Sequence, residues 1–168
     1  MQIGGYRLRQ HLKMLAPMFF LLAAVWALRW IIGSVGAPAW LLQITSITAA
    51  TPVAVLLAVL VIHFRRFGGY ANVVVSSLLL NLCAELLVVA AIAFSVLTDI
   101  PNVYTVPEFS ISGLDPQHLR HMRGHLTFSI GIGTLAGAAM GCLLLFLLRR
   151  LVPAKPAAEV SAGGRWKP

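Results

Sequence analysis

The sequence predicts an all-α integral membrane protein, a bundle of four transmembrane helices, on three observations. Of 168 residues, 59% are apolar and only 11% charged, against roughly 25% charged in a soluble domain, and the mean hydropathy is +0.86. Four apolar runs, over about 14–32, 40–64, 71–97 and 126–148, each approach or exceed the roughly 18 residues that cross a bilayer. The basic residues fall unequally between the connections. These runs leave no length for a separate soluble catalytic domain.

The formal net charge is +8. In a soluble chain this would suggest a nucleic-acid partner; here it follows the membrane topology, and no nucleic acid is expected. With four spans, Arg7, Arg9, Lys13, Arg65, Arg66, Arg149, Arg150, Lys155, Arg165 and Lys167 share one side, and only Arg29, Arg120 and Arg123 lie toward the other. Positive charge accumulates on the cytoplasmic side. The reading is therefore both termini inside, in a bacterial cytoplasmic (inner) membrane. Residues 1–13 form a cytoplasmic N-terminus, 14–150 the membrane domain with an outer loop over 98–125, and 151–168 a flexible, Ala/Pro/Gly-rich cytoplasmic tail.

The first run resembles a secretory signal, and Ala37-Pro38-Ala39 imitates a cleavage site, but its apolar core exceeds the 7–15 residues of such signals and is read as a retained span. Trp26, Trp30 and Trp40 gather at its outer end as an interfacial belt, with Arg29 snorkelling outward. Gly33, Gly36 and Pro38 make the outer turn. The second span is polar in its outer half, with Gln43, Thr45, Ser46, Thr48 and Thr51, and Pro52 removes a backbone donor near its middle, where a kink is expected. Cys83 and Cys142 lie inside spans three and four, as packing residues rather than a disulfide. In the outer connection, Asp115-Pro116 reads as a helix start, giving a short amphipathic helix that runs into span four.

Three constellations carry chemistry. Ser77, Asn81 and Glu85 recur every four residues on one face of span three, and Glu85 is the one acid inside any span. A carboxylate there costs several kcal/mol if ionised, so it turns inward, neutral or paired. It either locks the bundle through a hydrogen bond, to a threonine such as Thr48 or Thr51, or carries proton or ligand chemistry. His118, His121 and His125 follow an i, i+3, i+7 spacing, and the last two have the separation at which imidazoles share a metal. Asp99, Glu108 and Asp115 could complete such a set, but Arg120 and Arg123 flank it, and the alternatives are a solvated interfacial face or a pH-sensitive surface. No cofactor is predicted outright: an outward metal such as zinc is one option, and haem is disfavoured because only His63, with remote His11, lies near the inner face. Third, Ser129, Gly133, Gly137 and Gly141 form a small-xxx-small ladder, which lets helix backbones approach.

The best-fitting function is a non-catalytic accessory or scaffold subunit of a larger membrane complex or a homo-oligomer, with lipid, other membrane subunits or a second copy as partners. The alternatives are a membrane enzyme or metal-binding protein using the histidine face, and a small proton-coupled transporter using Glu85.

Overall fold

A computed structural model of the chain describes residues 2–105 and 118–152. Four helical segments are long and apolar enough to cross a membrane: Leu8–Ser34, Ala39–Phe64, Tyr70–Thr98 and Leu119–Leu151. In lipid a helix satisfies every backbone polar group within itself. Two of the four segments are interrupted, and both interruptions lie toward the same end.

The cytoplasmic N-terminus expected over 1–13 begins with a hairpin that no pattern in the sequence announces. Strands β1 (Gln2–Ile3) and β2 (Tyr6–Arg7) pair antiparallel across Gly4 and Gly5, both at positive φ, the backbone of a two-residue turn that glycine adopts without strain. Tyr6 stacks on Phe67 at 3.9 Å between ring centroids, and its hydroxyl donates to the Arg66 carbonyl at 3.2 Å. The Asn72 amide donates to the carbonyls of Phe67 and Gly4. Helix α1 (Leu8–Ser34) starts earlier than the apolar run near Met14 suggests, because this docked hairpin launches it and Gln10 accepts the Arg7 N–H at 2.7 Å.

The second span is two helices. Helix α2 (Ala39–Ile44) ends at Thr45, and α3 (Ile47–Phe64) begins at Ser46, whose hydroxyl accepts the Ala49 N–H at 3.1 Å. The expected Pro52 kink is thus preceded by a full break one and a half turns earlier. A serine N-cap offers the backbone an alternative partner, and Thr45 bonds back to Leu41. Helix α4 (Tyr70–Thr98) matches the expected third span. It ends on Asp99 in the left-handed region, and the chain folds back over its end: Asn102, Val103, Tyr104 and Thr105 are buried. The Asn102 amide donates to the Ala91 carbonyl at 2.7 Å, and Val103 sits against Gly33 so closely that a Cβ there would stand 2.9 Å from it.

The fourth span is longer than 126–148. Helix α5 (Leu119–Gly124) leads into a π-helical turn (His125–Ser129) and then α6 (Ile130–Leu151). The expected helix start at Asp115-Pro116, Glu108 and the tail over 153–168 lie outside the described residues.

Helices α3 and α4 form the centre, each packing on α1 at one flank and α6 at the other. The core runs through Leu15, Leu22, Val55, Val59, Leu80, Ile92 and Leu145, all essentially inaccessible. Among lipid tails such burial yields dispersion contacts rather than transfer out of water, so close backbone approach matters more than apolar area. At the basic end, Arg149 donates to the Gly68 carbonyl at 3.0 Å and lies over Tyr70, and a ring nitrogen of His63 meets the Val152 carbonyl at 2.9 Å.

Candidate functional site

The glycine ladder is used inside the chain. A Cβ on Gly133 would collide with Asn81 and one on Gly137 with Ser77, while one on Gly141 would stand 2.7 Å from Val73. Helix α6 therefore meets α4 at steps of four residues, each glycine facing a residue of the Ser77–Asn81 stripe or its continuation. Ser77 donates across the contact to the Thr134 carbonyl at 3.3 Å, and Asn81 returns its amide to the Ser77 carbonyl at 2.9 Å.

One turn beyond the last ladder step this contact opens into a polar site. Glu85 lies one turn past Asn81 on α4, and His125 at the first residue of the π-helical turn reaches it: His125 Nδ1 and Glu85 Oε2 are 2.5 Å apart. The partner of Glu85 is thus a histidine of the fourth span. Of the threonines, Thr51 donates to its own helix at the Ile47 carbonyl, 2.8 Å away, and Thr48 lines the cavity beside the pair. On the other edge of its ring, His125 Nε2 is 3.0 Å from His121 Nε2. The i, i+4 spacing places the two imidazoles on one helical face. A π-turn carries one residue more than an α-turn, shifts the residues around it out of α register, and is frequent at functional sites.

The hydrogen-bond chemistry has two consistent arrangements. If Glu85 is a carboxylate it only accepts, so His125 donates through Nδ1 and accepts at Nε2 from His121. If Glu85 is protonated, it donates to His125 Nδ1, His125 donates through Nε2, and His121 accepts. The arrangements differ by one proton, carried on His121 Nδ1 in the second, with each bond shifted by one step.

Arg29 is not at the lipid boundary, as snorkelling would place it; it is buried at 7% exposure. Its guanidinium lies 5.4 Å from the centre of the Tyr104 ring, which offers a cation a favourable face. The fold-back of 102–105 makes this arrangement. Tyr104, with a hydroxyl aimed at the Trp26 carbonyl 3.5 Å away, is held neutral: burial pushes its phenol up to about 12 against the opposing pull of Arg29. Arg29, Tyr104, His121, His125 and Thr48 line a small cavity of about 90 Å³. A larger one of about 400 Å³ lies across His125, with Thr48, Asn81, Glu85 and Ser129 at its polar end. These two spaces share His125 and Thr48.

Other expected ligands stand apart. His118 precedes α5 in the left-handed conformation, with its ring centroid 6.4 Å from that of His121, and lines a separate pocket with Asp99. Among the described residues no group of three or more His, Cys, Asp or Glu side chains gathers to hold a metal; Asp115 lies outside them. Cys83 and Cys142 are free. Sequence reasoning named Glu85 and His125 separately and missed their pairing, along with the burial of Arg29 and Tyr104. The one available signal was that Ser129 continues the ladder to the level of Glu85, with His125 one turn further.

Comparison with protein-family models, curated proteins and solved structures finds no match in any of the three.

Proposed function

We propose that this chain is a small proton-exchanging membrane protein of the transporter kind, with His121, His125 and Glu85 as its proton path. What supports the reading is the continuous hydrogen-bonded line from His121 through both nitrogens of His125 to Glu85, ending beside a cavity of small-molecule size. An imidazole bonded at both nitrogens takes a proton on one side and releases one on the other. An intramembrane carboxylate with a specific partner is the usual mark of a proton or substrate path. The basic end faces the cytoplasm of a bacterial inner membrane, by the positive-inside bias, so protons reach His121 from the outer side. The accessory-subunit reading drew on the glycine ladder, which here is filled by α3 and α4 of the same chain.

The test is infrared difference spectroscopy on the purified protein in lipid, with pH as the variable. A protonated-carboxyl band should titrate, vanish in Glu85→Gln, and change position in His125→Phe. A wild-type spectrum without such a band at any pH the fold tolerates would overturn the reading.

A further inference from the structure

The larger cavity has one polar end and a long apolar wall. Pro52 and Val55 of α3 face Ile132, Ala136 and Met140 of α6 across it. Its volume of about 400 Å³ falls within the roughly 300–1,000 Å³ of small-molecule sites. Phe128 and Ile132, on its rim, are exposed at 70% and 51%, so it opens sideways between α3 and α6, toward lipid, rather than along the bundle axis.

The polar end is rich in acceptors. Glu85 uses Oε2 on His125, leaving its second oxygen for a ligand. Asn81, at 6% exposure, spends its amide on the Ser77 carbonyl, and its Oδ1, aimed at the Gly133 face, has no hydrogen-bond partner among the described residues. Pro52 has no N–H to offer the Thr48 carbonyl four residues earlier. The pair faces few other charges: His121 lies beyond His125, Arg29 and Tyr104 occupy the far side of that ring in the smaller cavity, and α3 brings only Thr48 and Thr51 at this level.

We propose that this cavity binds a lipophilic amine, an organic cation with a protonated nitrogen and an apolar body, which enters from the bilayer. The proposal rests on the proton-exchange reading and names its counter-substrate. Acceptors and a carboxylate call for a ligand that brings N–H donors and positive charge; the apolar wall and sideways mouth call for one that partitions into lipid. The ammonium and the proton compete for Glu85, so the site exchanges one for the other, and amine affinity falls as pH is lowered.

The experiment uses the full chain in phosphatidylcholine nanodiscs, with naphthylmethylamine as fluorescent probe, naphthylmethanol as its uncharged counterpart, and empty nanodiscs subtracted. The amine should bind saturably and the alcohol at least about tenfold more weakly, the loss expected when a charge-assisted contact is removed. Glu85→Gln should erase the difference. Ala136→Trp, which fills the cavity from the α6 side and leaves Glu85 and His125 in place, should weaken amine binding by a similar factor while the carboxyl infrared band still titrates. Equal binding of amine and alcohol, or wild-type binding by Ala136→Trp, would overturn the proposal and leave the proton reading standing if the band titrates. Loss of the band itself would sink the proton reading, and with it this one.

Discussion

At the scale of single residues, position in the span decides what each side chain costs. Glu85→Gln keeps a donor and an acceptor of the same length, so the bundle should fold with little loss of thermal stability. Glu85→Lys places an ammonium among Asn81, His125 and the glycine face, and a charge at helix centre costs roughly 2.5–3.5 kcal/mol on insertion scales; membrane integration of this variant should be visibly impaired. If both variants inserted and melted alike, Glu85 would not lie between α4 and the fourth span. Glycines separate in the same way. A Cβ at Gly137 meets Ser77, whereas one at Gly131 meets nothing within 4 Å. Gly137→Ala should therefore destabilise by about 1–3 kcal/mol through overpacking, and Gly131→Ala should be neutral or mildly stabilising, since alanine is the better helix former by about 1 kcal/mol. Thermal unfolding in detergent compares them directly. Tyr104 adds a pH limit. Its phenol is raised from 10.0 to about 12 by burial, so the folded state favours the neutral form. That stability is complete below pH 10 and is lost as pH rises through the interval up to about 12. Phenolate absorbance of Tyr104 should appear only with the loosening of the 102–105 segment; Tyr104→Phe should remove this alkaline step.

At the scale of elements, the sequence was most legible where the physics is one-dimensional. Length and apolarity alone locate α4 almost to the residue, because a long apolar segment satisfies its own backbone in lipid only as a helix. The breaks were less visible. Pro52 was expected to mark the disturbance in span two, yet the chain separates at Thr45–Ser46, where competing side-chain bonds to the backbone, Thr45 to Leu41 and Ser46 to Ala49, decide the geometry. Ser46→Ala should cost about 1 kcal/mol by loss of the cap and raise amide exchange at Ala49 and Ala50. The N-terminal hairpin was illegible for a different reason. Four strand residues carry no periodicity, and what holds them is the Tyr6–Phe67 stack and the Asn72 bonds, contacts across some sixty residues of sequence. Gly4 is at φ +58 and against Asn72. Gly4→Val should therefore undock the hairpin, which faster exchange over Gln2–Arg7 would report, without unfolding the spans.

At the scale of the whole molecule, the residues of the site are legible in the sequence and their assembly is not. The candidate residues Ser77, Asn81, Glu85, His121, His125 and the glycines stand out in the sequence because polar or small residues are conspicuous in apolar runs. Their assembly was not readable, since it depends on how α6 docks on α4 and on a π-turn that no residue pattern announces. Arg29 shows the same limit: at a span's edge it reads as a snorkelling side chain, whereas the fold-back brings the Tyr104 ring over its buried guanidinium. The proposed orientation is checked by cysteine labelling at Ser112 and Ser161, with labelling expected from outside at the first only. Nitrogen NMR of ring-labelled histidine in lipid shows whether Glu85 and His125 share a proton path within the span. With Glu85 ionised, the His125 signal should show a protonated Nδ1 and an accepting Nε2 and exchange those roles as the pH falls; in Glu85→Gln, whose amide can neither gain nor lose the proton, that exchange should be lost. A His125 spectrum identical in wild type and Glu85→Gln at every pH would mean that no proton passes between the two residues.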